Sequence, residues 1–266
     1  MSIWSDRGLL IYCSVVAFCL GAVFGSFLNC AAWRIAHGES FLRGHSRCPS
    51  CGHALGPRDL VPIFSWLFQR GRCRYCGEKI SVRYPLTELA FALLTLLCLW
   101  RFDLTVLCLR NWVFLACLFC LSLVDLECYT IPDGCLLIAA GAWVAALPFL
   151  RPGWAEIGRS VLAGLVFGGG ILLLSLVMDK VLGKESLGGG DVKLFAVVGL
   201  YLGFTGTLFT MLLSCVLGLL FALWQARRGE KGKAIPFGPS ISLAAAFMLL
   251  FGQSITQWYL GLLGLS

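Results

Sequence analysis

At 266 residues the chain could form one or two soluble domains, yet 59% of it is apolar and only 13% charged, more apolar surface than a soluble domain of this size can hide. The net charge of +7 matches basic loops beside a membrane and excludes nucleic acid as a partner. Ten of the 14 cysteines lie within or beside apolar stretches, where a thiol acts as a small hydrophobe, so the count does not describe a disulfide framework.

Apolar runs predict eight membrane spans: Leu9–Ala31, Leu86–Phe102, Thr105–Val124, Gly134–Leu150, Ile157–Met178, Val192–Phe204, Thr205–Trp224 and Ile241–Leu263. Backbone groups in lipid must pair internally, so these spans are expected to be helices, in an all-α polytopic membrane protein. The first run is long enough to span, and no cleavable signal peptide is expected ahead of it. With the N-terminus outside, sixteen of the 21 Lys and Arg fall on the cytoplasmic side, including nine between residues 32 and 85, and five remain outside. This asymmetry predicts an outward N-terminus, an outward C-terminus and a multi-pass protein of the bacterial inner membrane. Three parts follow: residues 1–31 as the first span, 32–85 as a small cytoplasmic insertion, and 86–266 as the membrane core.

The insertion holds Cys48-Pro-Ser-Cys51-Gly and Cys73-Arg-Tyr-Cys76-Gly, two C-x-x-C pairs with 21 residues between them. Two such turns let four thiolates converge on one tetrahedral Zn²⁺, each following glycine relieving a tight turn, with two reduced pairs or a pair of disulfides as the alternative. A closed Cys₄ site leaves no position for substrate, so the metal is expected to be structural, folding a segment too small to hold a core.

Asp125 closes the third span and Asp191 opens the sixth, after Gly188-Gly189-Gly190. The third span runs inward and the sixth outward, which places both carboxyls at the cytoplasmic boundary at similar depth. Ionisable groups at a membrane edge are costly and point to function. Two carboxyls held together do not both ionise easily, so one carries a proton while the other activates water against a peptide carbonyl. The glycines before Asp191 remove bulk and would let an extended substrate backbone approach. A helix N-cap is the competing role for Asp191, whereas the C-terminal end of a helix disfavours an anion such as Asp125. Asp133, after Pro132 and before the fourth span, fits an N-cap, and Glu127 reads as a solvated loop residue.

With these residues in place the chain resembles the type IV prepilin peptidases. The resemblance is carried in order by Gly25-Ser-Phe-Leu-Asn29 with Arg34, the two cysteine pairs flanking Asp59-Leu-Val-Pro-Ile-Phe-Ser-Trp66, Arg83-Tyr-Pro-Leu-Thr-Glu88, Asp125 with Ile131-Pro-Asp133, Gly188–Leu194, and Ile235-Pro-Phe-Gly-Pro239. It implies a GxGD-type aspartic endopeptidase with Asp125 and Asp191 as its dyad, cutting the basic leader from prepilins or pseudopilins on the cytoplasmic side. It also implies N-methylation of the new terminus with S-adenosylmethionine, with residues 32–85 as the natural region for that activity. Where this chain has Glu127 the family often has Asp. Leader recognition would draw on Glu127, Asp133, Glu39, Glu88 or Glu185. The alternative is a membrane scaffold or transporter with a structural zinc module and aspartates that catalyse nothing. A transporter would call for charges deep within spans, and the span centres are nearly free of them.

Overall fold

The computed structural model describes residues 3–40, 45–183, 188–228 and 236–262, whose regular structure is helical apart from two isolated β-bridges. The helices are α1 (Arg7–Ala36), α2 (Phe64–Phe68), α3 (Arg83–Phe102), α4 (Val106–Cys128), α5 (Asp133–Leu150), α6 (Trp154–Leu182), α7 (Gly189–Arg227) and α8 (Gly238–Leu262). Among the described residues, α1 and α3 to α7 are each long and apolar enough to cross a bilayer, and α8 is apolar too. The chain is therefore an all-α multi-pass membrane protein.

Each of the eight anticipated spans coincides with a helix over its described residues to within a residue, but the sixth and seventh are joined. α7 has 39 residues, about 58 Å if straight at 1.5 Å per residue, roughly twice the hydrocarbon thickness. It is broken at Gly203, where φ is 63° and ψ −169°, a region open essentially only to glycine. The two halves have different partners. Before the break, Gly199 and Ala196 press on α6; after it, Gly218 lies against Phe237 and Ser240 at the start of α8.

The chain divides into two compact units, Met1–Trp112 and Val113–Ser266, with the cut inside α4. α3 thus packs with α1 in the first unit, whereas the sequence division assigned it to the second part. In the first unit α1 lies on α3 at backbone distance: a Cβ on Gly21 would come within 2.7 Å of Ala92 Cα, and one on Gly25 within 3.0 Å of Glu88 Cα. The seam continues in a hydrogen bond from Asn29 Nδ2 to Thr87 Oγ1 at 3.0 Å. The second unit repeats the device. Cβ atoms on Gly164 and Gly168 would meet Ala196 at 2.7 and 2.8 Å, and one on Gly199 would meet Gly164 at 2.5 Å. Each seam carries a Gly-x-x-x-Gly pair, Gly21 and Gly25 on α1, Gly164 and Gly168 on α6. Between lipid-embedded helices, where apolar surface gains little from association, close backbone approach supplies dispersion contacts instead.

Candidate active site and metal centre

Between α1 and α3 the chain folds into two matching turns. Gly52 N–H donates to the Cys48 carbonyl and Gly77 N–H to that of Cys73, both at 2.9 Å, with the glycines at φ 70° and 73°. Cys48 N–H reaches the His53 carbonyl and Cys73 N–H that of Glu78, and bridges pair Arg47 with Ala54 and Arg72 with Lys79. Every partner in the second turn lies 25 residues after its counterpart. The shared Arg-Cys-x-x-Cys-Gly string is the sequence signal of this local repeat.

The four sulfurs of Cys48, Cys51, Cys73 and Cys76 lie within 4.8 Å of one another, with Cys48 and Cys76 Sγ 3.9 Å apart. A tetrahedron of thiolates about 2.3 Å from a metal has edges of about 3.8 Å, so the donor set fits a Cys₄ metal ion. The Cys51 and Ser50 N–H groups draw the Cys48 thiol down to about 6. The Glu78 N–H lowers Cys76 as well, but desolvation and the neighbouring thiols of Cys73, Cys51 and Cys48 outweigh it and push that group up to about 12. Four thiols this close cannot all ionise without a cation between them. Asp59 ties the second turn to the segment before it, accepting from Tyr75 Oη at 3.1 Å and pairing with Arg74 Nε at 3.2 Å.

The acidic constellation belongs to the second unit. Asp125 sits in the last turn of α4, is 5% exposed, and accepts the Gly238 N–H through Oδ2 at 2.9 Å. A Cβ on Gly238 would stand 2.7 Å from that oxygen. Asp191 is the third residue of α7 and half-buried, and the start of α7 lies against the segment that follows α4, with Gly190 on Ile131 and Lys193 on Asp133. The end of α4 and the starts of α7 and α8 therefore lie in one region of the second unit, with Asp125 on the first and Asp191 on the second.

Several neighbours differ from expectation. Asp191 is not a helix cap: Gly188 holds that position, and no side chain caps the helix. Asp133 is not one either, because Pro132 precedes the helix and Asp133 is its first residue. Its carboxylate instead takes Lys193 Nζ at 2.8 and 3.0 Å. Glu127 is not in a loop; α4 runs on to Cys128, leaving Glu127 half-buried in its last turn. Of the three glycines, Gly189 faces open space, but a Cβ on Gly190 would strike Ile131 at 2.8 Å, so that glycine makes room for the chain's own Ile131. Glu88 is buried and accepts Ile63 N–H at 2.7 Å, which withdraws it from leader recognition, while Glu39 is exposed. Glu185 lies outside the described residues. Gly238 was missed as a site residue; its place in Pro-Phe-Gly-Pro was the available signal.

Comparison with known proteins adds a second line. Residues 19–102 match the Bacterial Peptidase A24 N-terminal domain, and residues 112–223 match the Type IV leader peptidase family. The prepilin leader peptidase/N-methyltransferase of Pseudomonas putida is 32% identical over 293 residues, covering 99% of this chain and 100% of the relative. The protein of that name from Aeromonas salmonicida is 36% identical over 223 residues, covering 81% and 74%. The one from Bacillus subtilis is 32% identical over 249 residues, covering 92% and 97%. No solved structure matches the chain significantly.

Proposed function

The chain belongs to the type IV leader peptidase family, and on that premise we propose that it is a membrane aspartic endopeptidase that removes the basic leader of type IV prepilins or pseudopilins and N-methylates the new terminus. The observation that supports the reading is the Asp125 carboxyl on the Gly238 amide, with the start of α7 that bears Asp191 packed on Ile131, six residues on from Asp125. A carboxylate at that boundary faces the scissile bond of a substrate whose leader emerges there from a membrane-spanning helix.

In this mechanism one carboxylate takes a proton from water as its oxygen adds to the scissile carbonyl, and the other, protonated, donates to the carbonyl oxygen. Collapse of the tetrahedral intermediate returns a proton to the leaving nitrogen. The Gly238 N–H fixes the direction of one Asp125 oxygen, so that group is oriented before substrate arrives. Gly188 and Gly189 leave room for the extended substrate backbone; Glu127 and Asp133 are the acidic groups offered to its basic leader. S-adenosylmethionine would supply the methyl group for the second activity, with residues 32–85 as its region. The Cys48, Cys51, Cys73 and Cys76 site would hold a structural Zn²⁺, which keeps that segment folded. The enzyme would sit in the bacterial inner membrane, both termini outside and the dyad at the cytoplasmic face.

The test is to incubate the purified protein with a prepilin, with and without S-adenosylmethionine, and read the product's N-terminus by mass spectrometry. Cleavage is expected in both, and a gain of one methyl only with the donor. Asp125→Asn and Asp191→Asn should each abolish cleavage while the protein stays folded; a fully active variant would refute the dyad.

A further inference from the structure

We propose that residues 60–68, in the extramembrane segment of the first unit, are an interfacial anchor seated in the surface of an anionic bilayer. The proposal rests on the chain's membrane-spanning character and not on the peptidase reading.

The segment Leu60-Val-Pro-Ile-Phe-Ser-Trp-Leu-Phe68 lies outside every span, yet turns its large apolar side chains outward. Phe64 and Leu67 are each 55% exposed and Phe68 83%. These three share one face of α2 at the i, i+3, i+4 spacing, and exposed Leu60 and Val61 extend the patch. The opposite face is engaged. Trp66 Nε1 donates to the Ile80 carbonyl at 3.1 Å, and its ring fills the space above Gly71, where a Cβ would approach to 2.8 Å. The apolar face is therefore not a core that failed to close, because the same short helix already has an inner side.

What decides the occupant is where the segment is held. Pro62-Ile63-Phe64 forms a γ-turn, with Phe64 N–H on the Pro62 carbonyl at 2.6 Å and Ile63 at φ 63°, ψ −54°. A β-branched residue seldom adopts that conformation, and it persists only where surroundings impose it. Here Glu88 imposes it by accepting the Ile63 N–H at 2.7 Å. Glu88 lies five residues after Arg83, the first residue of α3, about 7.5 Å along a membrane-spanning helix. The clasp thus fixes the patch at the depth of the end of that span, where hydrocarbon gives way to headgroups. Exposed Trp33 on α1 and Tyr84 on α3 mark the same level as an aromatic belt would. Exposed Arg58 and Arg70 bracket the patch, as expected of an element that meets anionic lipid.

The experiment uses the full chain in vesicles of phosphatidylethanolamine with a minority of phosphatidylglycerol carrying a photoactivatable diazirine in its acyl chain. Adducts are mapped by mass spectrometry after illumination. Residues 60–68 should label at least several-fold more than residues 46–55 or 71–79 of the cysteine turns. Equal labelling would overturn the proposal, as would labelling at 60–68 that disappears when a prepilin is added, which would make the patch a substrate surface. As a second reading, p-benzoylphenylalanine in place of Phe68 should crosslink to phospholipid; crosslinks to a second copy of the chain in its stead would also overturn it.

Discussion

Replacing Gly238 with alanine separates the chemistry from the fold more cleanly than replacing either aspartate. The added Cβ would stand 2.7 Å from Asp125 Oδ2 and 3.2 Å from its Cγ, where ordinary contact begins at 3.4 Å. The carboxylate must therefore retreat by about 0.7 Å from the larger conflict, and in doing so it leaves the Gly238 N–H it now accepts at 2.9 Å. A side-chain carboxyl can move this far by a small torsion, so the loss of stability should stay at about 1–3 kcal/mol, the cost of leaving the buried Gly238 N–H without its acceptor. Catalysis is less forgiving: a misplacement on the order of 1 Å costs up to about a hundredfold, equivalent to roughly 2.7 kcal/mol of barrier. The expected result for Gly238→Ala is a fall of about ten- to a hundredfold in kcat for leader cleavage, with thermal unfolding in detergent lowered by several degrees. Wild-type kcat in a folded variant would refute the placement of Asp125 in the reaction. A collapse of the melting temperature would show that Gly238 serves packing instead.

Gly199→Ala places a methyl group 2.5 Å from the backbone of Gly164, where no side chain can give way; a loss of about 1–3 kcal/mol is expected, and an unchanged melting temperature would contradict the α6–α7 seam. Removing the metal with a chelator, or by Cys48→Ser with Cys73→Ser, should speed amide exchange across residues 46–80 and leave α4 to α8 protected. Protons compete with metal for thiolates, so bound metal measured against pH should fall on acidification. Asp133→Asn breaks an exposed pair with Lys193 and should change stability by less than about 1 kcal/mol. If Asp133 meets the basic leader, the same variant raises KM with kcat unchanged, which steady-state kinetics would read.

Hydropathy made much of this legible, because it reports on the bilayer. It found all seven apolar helices, dividing α7 in two, and the cysteine spacing found the cluster that fits a metal. Helix ends were less visible, since hydropathy marks lipid whereas helix termini follow backbone hydrogen bonding. The third span ends at Val124 by hydropathy, but α4 continues to Cys128 and stops only where Tyr129 turns to φ 57°. That difference carried Glu127 from loop to helix. The join of the sixth and seventh spans escaped for a related reason: Gly203 lies inside continuous apolar sequence, and its positive φ leaves no trace in composition. The contact of Asp125 with Gly238 links positions 113 residues apart, which no local pattern encodes. The glycine seams leave a trace in sequence as Gly-x-x-x-Gly pairs in apolar runs.

Those seams bear on compliance. Where Gly164 meets Gly199, backbone touches backbone and there are no rotamers to exchange. Such a contact cannot yield by degrees. It holds, or the two helices part as rods, so the half of α7 that carries Asp191 stands on a stiff footing. The other half rests on the ring of Phe237, a side chain that can swing. Gly203 lies between a rigid bearing and a soft one, and strain arising on the soft side can be absorbed at that glycine before it reaches the carboxyl.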